Sequence, residues 1–189
     1  MDLALYLRIQ AHANRLANAR LHAAIARLPD AEFTAPRTSF FPSLEQTLNH
    51  ILAVDLYYIG ALHGEVGQTA AYRAYRRVTT IAELAPRQAA SDARLIAWCA
   101  DLDAARCAAL IAMERGDHVR HDRAAHVLAH LLMHQTHHRG QAHAMLAGTA
   151  AEPPQLDEFL MPSEAHLRTQ DMATLGWNET EVYGAAPRV

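Results

Sequence analysis

The chain has 189 residues, of which 51% are hydrophobic and 20% are charged, which is typical of a folded globular domain and excludes a disordered chain. Its formal net charge of −3 argues against nucleic acid as a partner, because nucleic-acid-binding surfaces are usually basic. Charges at Asp2 and Arg8 interrupt the first residues, so neither a signal peptide nor a membrane-spanning segment is expected there.

The first two predicted elements are amphipathic helices separated by a proline-containing connection. Apolar residues recur at helical spacing over residues 3–28, and Pro29 ends the pattern. After two further prolines, Ser43 is followed by an acidic residue and a glutamine, a pattern typical of a helix N-cap. The helix that begins there is predicted to end at Gly64.

Two more helices are predicted over residues 88–115 and 121–147, after an irregular stretch at 64–87. Cys99 and Cys107 would then lie on one helix, about 12 Å apart along its axis and too far for a disulfide. Reduced cysteines favour a cytoplasmic protein. Four long helices with unequal connections predict an all-α four-helix bundle, in which the long second connection lets the second and third helices run parallel.

Two segments outside the predicted helices also carry expectations. Arg73, Arg76 and Arg77 lie in the irregular stretch, and they form either a solvated patch or an anion site for a phosphate or carboxylate. Prolines break the C-terminal part of the chain repeatedly. Residues 161–189 are therefore expected to be an extension that packs on the bundle, domain 1–160, or on a partner subunit.

Histidines are concentrated on the fourth predicted helix, where residues 129 to 146 contain five of the thirteen in the chain. His130, His134 and His138 are spaced by four, so they share one face of that helix, and the same face carries core residues. Each buried imidazole needs a polar partner, and two histidines at i and i+4 can bind one divalent ion. A zinc protease is disfavoured, because Gln135 and Thr136 stand where that helix motif has its glutamate.

The remaining ligands of such an ion must come from other helices. The second helix offers His50, which stands among apolar residues, and bundles commonly build metal sites from facing helices. Asp55 lies about 140° around the helix from His50 and is expected to form a cap or an inter-helix hydrogen bond instead. Six other histidines are expected on the surface, namely His12, His22, His63, His118, His121 and His166.

Three stretches resemble the DinB-like family of damage-inducible, four-helix-bundle metalloenzymes: "ANRLANARL", "FFPSLEQTLNHILAVD" and "HQTHHRGQAHAML". The resemblance covers roughly residues 5–160. It implies that His50, His134 and His138 bind a divalent metal ion, zinc or nickel, and that the protein forms a homodimer.

The sequence departs from the family pattern at two positions that are not ligands. Leu16 stands where the family often has a tryptophan, between the two asparagines of the first helix. Met133 replaces a common asparagine beside the first ligand of the fourth helix. Both changes are expected to reshape the pocket.

Three neutral imidazoles leave the ion at least one open position, which is the pattern of a catalytic rather than a structural metal. Such an ion lowers the pKa of a bound water to about 7, which gives hydrolysis, or holds a thiol as thiolate, which gives thiol transfer. Characterised relatives include thiol-dependent transferases and an isomerase, so the resemblance implies chemistry with a low-molecular-weight thiol. A metal-dependent hydrolase and a metal-binding stress protein without turnover are the alternatives.

Other residues are candidates for supporting roles. Tyr57, Gln141 and His130 are the best-placed groups for proton transfer. Asn14 and Asn18 are expected to hydrogen-bond a ligand histidine, a substrate or a neighbouring helix. An open pocket that contains Arg73 or Arg76 would favour an enzyme acting on an anionic thiol, whereas a pocket closed by the C-terminal segment would favour the stress protein.

Overall fold

The computed structural model describes residues 2–184, and its elements are predominantly helical. In chain order they are α1 (Leu3–Ile25), α2 (Asp30–Thr34), α3 (Leu44–Leu62), α4 (Gln68–Ala74), α5 (Ile81–Ala100), α6 (Ala104–Ala108), β1 (Leu110–Glu114), β2 (Val119–Arg123), α7 (Ala124–Leu146), a 3-10 helix (Pro162–Arg168), α8 (Thr169–Leu175) and α9 (Glu179–Tyr183). The four long helices α1, α3, α5 and α7 form the bundle, which confirms the predicted fold class.

Side-chain caps set the beginnings of the long helices. Ser43 Oγ accepts a hydrogen bond from the backbone N–H of Gln46 at 3.0 Å, as its sequence pattern predicts. Thr80 caps α5 in the same way, three residues before Glu83. Pro86 therefore lies inside this helix, and the predicted start of the third helix at residue 88 is wrong.

The predicted end of the third helix, at residue 115, is also wrong. Helix α5 ends at Ala100, Asp103 caps the short helix α6, and the chain then forms an antiparallel hairpin from β1 and β2. Strand β1 alternates exposed and buried residues, with Ile111 and Met113 facing the core, because strand pairing with β2 imposes a period of two.

The two cysteines thus lie on different helices rather than on one. Cys99 belongs to α5 and Cys107 to α6, and both are buried free thiols.

Two apolar core clusters show how the helices run. One cluster joins the starts of α1 and α7 to the ends of α3 and α5, and it includes Leu7, Leu62 and Trp98. The other joins the ends of α1 and α7 to the starts of α3 and α5, and it includes Ile25 and Leu48. Helices α3 and α5 therefore run parallel to each other, as predicted, and opposite to α1 and α7.

The segment after α7 packs against the outer face of α1. Phe159, Met172 and Tyr183 share a hydrophobic cluster with Leu16, which is fully buried. The side chain of Arg168 is also fully buried, and its Nε donates to the Glu179 carboxylate at 3.0 Å. The division of the chain at residue 160 stays a prediction. Across residues 2–184, no helix combines the length and apolarity needed to cross a membrane.

Candidate metal centre

Three histidines from two helices meet at mid-height in the bundle. His50 of α3 and His134 and His138 of α7, called the histidine triad below, place one ring nitrogen each within 4.8 Å of one another. His50 Nε2 and His134 Nε2 are 3.0 Å apart. A tetrahedral ion with bonds of about 2.0–2.1 Å holds its nitrogen ligands about 3.3 Å apart, so the histidine triad fits a divalent ion.

Neighbouring side chains orient two of these rings. His138 Nδ1 donates to Gln141 Oε1 at 2.8 Å, which leaves Nε2 of His138 with a free lone pair. The ring of Phe41 lies 4.5 Å from that of His50 and 5.5 Å from that of His138, measured between centroids. Phe41 was not identified from the sequence, because it belongs to the connection before Ser43 and carries no polar atom.

The electrostatic environment keeps the histidine triad neutral. Burial, followed by the neighbouring His138, lowers the pKa of His50 to about 4. Burial and the other histidines lower the pKa of His134 to about 3. Burial also lowers the pKa of His138, although its hydrogen bond to Gln141 opposes the shift. At pH 7 all three rings are therefore in the form that binds a metal ion.

The histidine triad lines a cavity of about 620 Å³. Tyr57, Tyr58 and Tyr72 form its aromatic walls, and Arg73 and Arg115 line it as well. A cavity of this size is ordinary for a small-molecule site, and its mixture of aromatic and charged groups suits a polar ligand with an apolar part.

The three candidates for proton transfer have different positions. His130 is exposed and lines the cavity, with its ring centroid 5.1 Å from that of Tyr58 and 6.5 Å from that of His134. Tyr57 also lines the cavity, but its hydroxyl donates to the backbone carbonyl of Glu114. Gln141 bonds to His138 instead, so its contacts are those of a residue that positions the imidazole.

Asp55 forms the inter-helix hydrogen bonds expected of it. Its Oδ2 accepts from Gln88 Nε2 of α5 at 2.6 Å and from Gln135 Nε2 of α7. It does not join the histidine triad in the cluster of possible metal ligands.

Asn14 and Asn18 also bond to neighbouring helices. Arg139 Nη1 donates to Asn14 Oδ1 at 2.6 Å and to Asn18 Oδ1 at 2.9 Å. The two amide groups donate in turn to Asp92 of α5. Of the roles expected for the two asparagines, the structure supports the inter-helix one.

These contacts form a buried polar network that links all four long helices. Two of its members, Gln135 and Arg139, directly follow His134 and His138 in the sequence. Burial raises the pKa of Asp92 to about 6 and lowers that of Arg139 to about 10. The hydrogen-bond partners in this network were not predicted from the sequence. Charged residues on helix faces that also carry core residues are the sequence feature that indicates such a network.

One of the six histidines expected on the surface is buried. His22 is only 5% exposed on α1, and burial lowers its pKa to about 3. The expectation was wrong because the polar network gives this part of the bundle interior a polar lining, next to Arg15 and Arg139. His12 is half-buried, and His63, His118, His121 and His166 are exposed as expected.

Comparison with known protein families agrees with the fold and with the histidine cluster. The model of the DinB family matches residues 6–172, which extends the resemblance beyond residue 160 and into α8. A search of the curated proteins found no match. The match spans most of the chain, and the protein therefore belongs to the DinB family.

Proposed function

We propose that this protein is a metal-dependent enzyme whose histidine triad binds one divalent ion, zinc or nickel, and that it catalyses a transfer or isomerisation that uses a low-molecular-weight thiol. The observation that carries the proposal is the position of three neutral imidazoles in the wall of an open cavity. When bound, the ion supplies a site where a thiol is held as thiolate at neutral pH.

The openness of the site favours an enzyme over a metal-binding protein without turnover. Within residues 2–184, the histidine triad is the only group of three or more potential ligands. The C-terminal segment packs on α1, and none of its described residues lines the cavity. An ion held by three histidines there keeps at least one position for a small molecule.

The choice of a thiol over water as the nucleophile rests on the family resemblance. A metal-dependent hydrolase commonly uses a carboxylate or histidine as general base. The cavity's carboxylate, that of Glu114, already accepts backbone N–H groups from Gly67 at 2.7 Å and from Thr69 at 3.3 Å. His130 is the exposed imidazole in the cavity wall, and it would serve as the proton-transfer group in either reaction, so the second experiment below distinguishes the two.

The metal's identity depends on supply as well as on the site. Zinc, nickel and copper all bind imidazole nitrogen well, so the metal that the protein holds reflects which one the cell provides. The homodimer and the cytoplasmic location stay predictions that rest on the family resemblance and on the reduced cysteines.

The first experiment measures metal content by elemental mass spectrometry on protein without a histidine tag. We expect about one ion per chain, lost in His50→Ala and in His134→Ala. His126→Ala is the matched control, because His126 is exposed on the same helix as His134 and lies outside the histidine triad. An absence of metal after growth in metal-rich medium would refute the site.

A second experiment separates the reaction classes. The metal-loaded protein is incubated with a small thiol and an aryl halide, so that transfer forms a carbon–sulfur bond and releases halide and a proton. We expect thioether formation that depends on His134. Hydrolysis of simple esters without any thiol, and no thioether, would favour the metal-dependent hydrolase instead.

A further inference from the structure

Two arginines from separate elements line the same cavity as the histidine triad. Arg73 belongs to α4, and Arg115 follows β1 in the turn of the hairpin. The two elements are tied together, because the backbone N–H of Glu114 donates to Gln68 Oε1 at 3.1 Å and Thr69 Oγ1 donates to the Glu114 carbonyl at 3.1 Å. These hydrogen bonds fix the positions of the two backbone segments that carry Arg73 and Arg115.

Aromatic side chains hold the guanidinium of Arg115 in place. Its Nη2 donates to the Tyr58 hydroxyl at 3.2 Å, and its carbon Cζ lies 5.3 Å from the centroid of the Tyr57 ring and 5.6 Å from that of Tyr58. These contacts restrict the side chain at low cost in conformational freedom, because the planar guanidinium stacks on the rings.

Arg73 lies next to the same turn. A Cβ atom built on Gly116 would be 3.5 Å from Arg73 Nη2, so this guanidinium lies beside the residue that follows Arg115. Gly116 has φ of 82°, a conformation that glycine adopts without strain. Arg73, on α4, and Arg115, in the turn, thus lie at the same edge of the cavity.

Neither guanidinium has a carboxylate oxygen within 4.0 Å among residues 2–184. The Glu114 carboxylate accepts hydrogen bonds from backbone N–H groups. Asp122 attracts Arg115 electrostatically, but the two do not form a direct ion pair. Arg77, by contrast, pairs with Glu45 outside the cavity. Arg73 and Arg115 outnumber the carboxylate of Glu114 in the lining of the cavity, so the excess of positive charge favours an anion, and a bound divalent ion would add to that field.

We propose that Arg73 and Arg115 form an oxyanion subsite, so that the thiol used by the enzyme carries a carboxylate or phosphate group that these arginines bind while its sulfur lies at the histidine triad. This inference rests on the proposed function. Guanidinium groups bind both oxyanions through paired N–H donors, and tyrosines between the two ends accommodate the apolar part of the molecule.

The test uses protein loaded with cobalt(II), in which a bound thiolate gives a charge-transfer absorption band. The probes are 3-mercaptopropionate, a mercaptoalkyl phosphate of similar length, and the neutral 3-mercapto-1-propanol. We expect the anionic thiols to bind at least about tenfold more tightly than the neutral one, as one charge-assisted hydrogen-bonded contact provides. The carboxylate and phosphate arms identify which oxyanion the subsite prefers.

Variants assign the effect to the arginines. Arg73→Gln and Arg115→Gln should each weaken binding of the preferred anionic thiol about tenfold and leave the neutral thiol unchanged. Arg76→Gln is the matched control, because Arg76 is exposed near Arg73 but does not line the cavity. The neutral thiol reports on folding and on the metal in every variant.

The outcomes are distinguishable. Equal binding of anionic and neutral thiols, or equal losses in all three arginine variants, would overturn the subsite and leave the proposed function standing. Failure to bind cobalt, or the absence of a thiolate band with every thiol, would refute the proposed function and the subsite together.

Discussion

Replacing Gln141 tests whether a hydrogen bond outside the histidine triad sets metal affinity. Gln141 Oε1 accepts from His138 Nδ1 at 2.8 Å, which fixes both the tautomer and the orientation of the ring. In Gln141→Leu the ring loses this acceptor. We expect the affinity for a divalent ion to fall about 10- to 100-fold, or about 1.4–2.7 kcal/mol, as for other partners of ligand histidines.

The measurement is competition with a chromophoric chelator at pH 7.5, combined with urea unfolding of the metal-free protein. Gln141→Glu keeps an acceptor oxygen and should retain affinity. Thr136→Ala is the control on the same helix, because its hydroxyl is exposed and donates to the Leu132 carbonyl rather than to the histidine triad. The reasoning would be refuted if Gln141→Leu bound metal as tightly as the natural protein, or if Gln141→Glu lost as much affinity as Gln141→Leu.

Two further predictions concern the bundle interior. Arg139→Leu should lower the free energy of unfolding by about 1–3 kcal/mol, because it removes the hydrogen bonds to buried Asn14 and Asn18 and leaves Asp92 with Arg15, 3.8 Å away, as its cation. Adding Asp92→Asn should restore part of the loss, because the carboxylate that attracts Arg139 is then absent. Urea unfolding measures both, and a double variant no more stable than the single one would contradict the prediction. His22 stays neutral in the fold down to about pH 3, whereas in the unfolded chain it takes up a proton below about pH 6.5, so stability falls as the pH is lowered. Between pH 7.5 and pH 5, His22 should contribute about 2 kcal/mol to the fall in the free energy of unfolding, and His22→Gln should remove this contribution. An unchanged pH dependence in the variant would show that His22 titrates normally.

Local physics explains what the sequence predicted well. The Ser43 cap depends on a hydrogen bond within one helix, and the spacing of the apolar residues follows from the pitch of that helix, so both can be recognised without knowing the partner helices. The spacing of His134 and His138 places them on one face for the same reason. The third member of the cluster, His50, lies on another helix, and the family resemblance rather than spacing selected it.

The errors also have local causes. The stretch 64–87 is irregular in sequence and ends next to Pro86, but Thr80 and Glu83 carry the cap pattern of α5, and Pro86 lies in the second turn of this helix. The apolar residues of β1 are compatible with a helical period or a period of two, so the sequence predicts a helix there, and only pairing with β2 decides for the strand.

The sequence by itself determined the all-α class, the main helices and the histidine pair on the fourth long helix, because those features follow from backbone hydrogen bonding and from side-chain spacing along one element. The tertiary structure alone decided the burial of His22, the network around Arg139 and the position of Arg73 beside Arg115. These arrangements join residues far apart in the chain, and their energies arise from packing and charge between elements, which no local pattern contains.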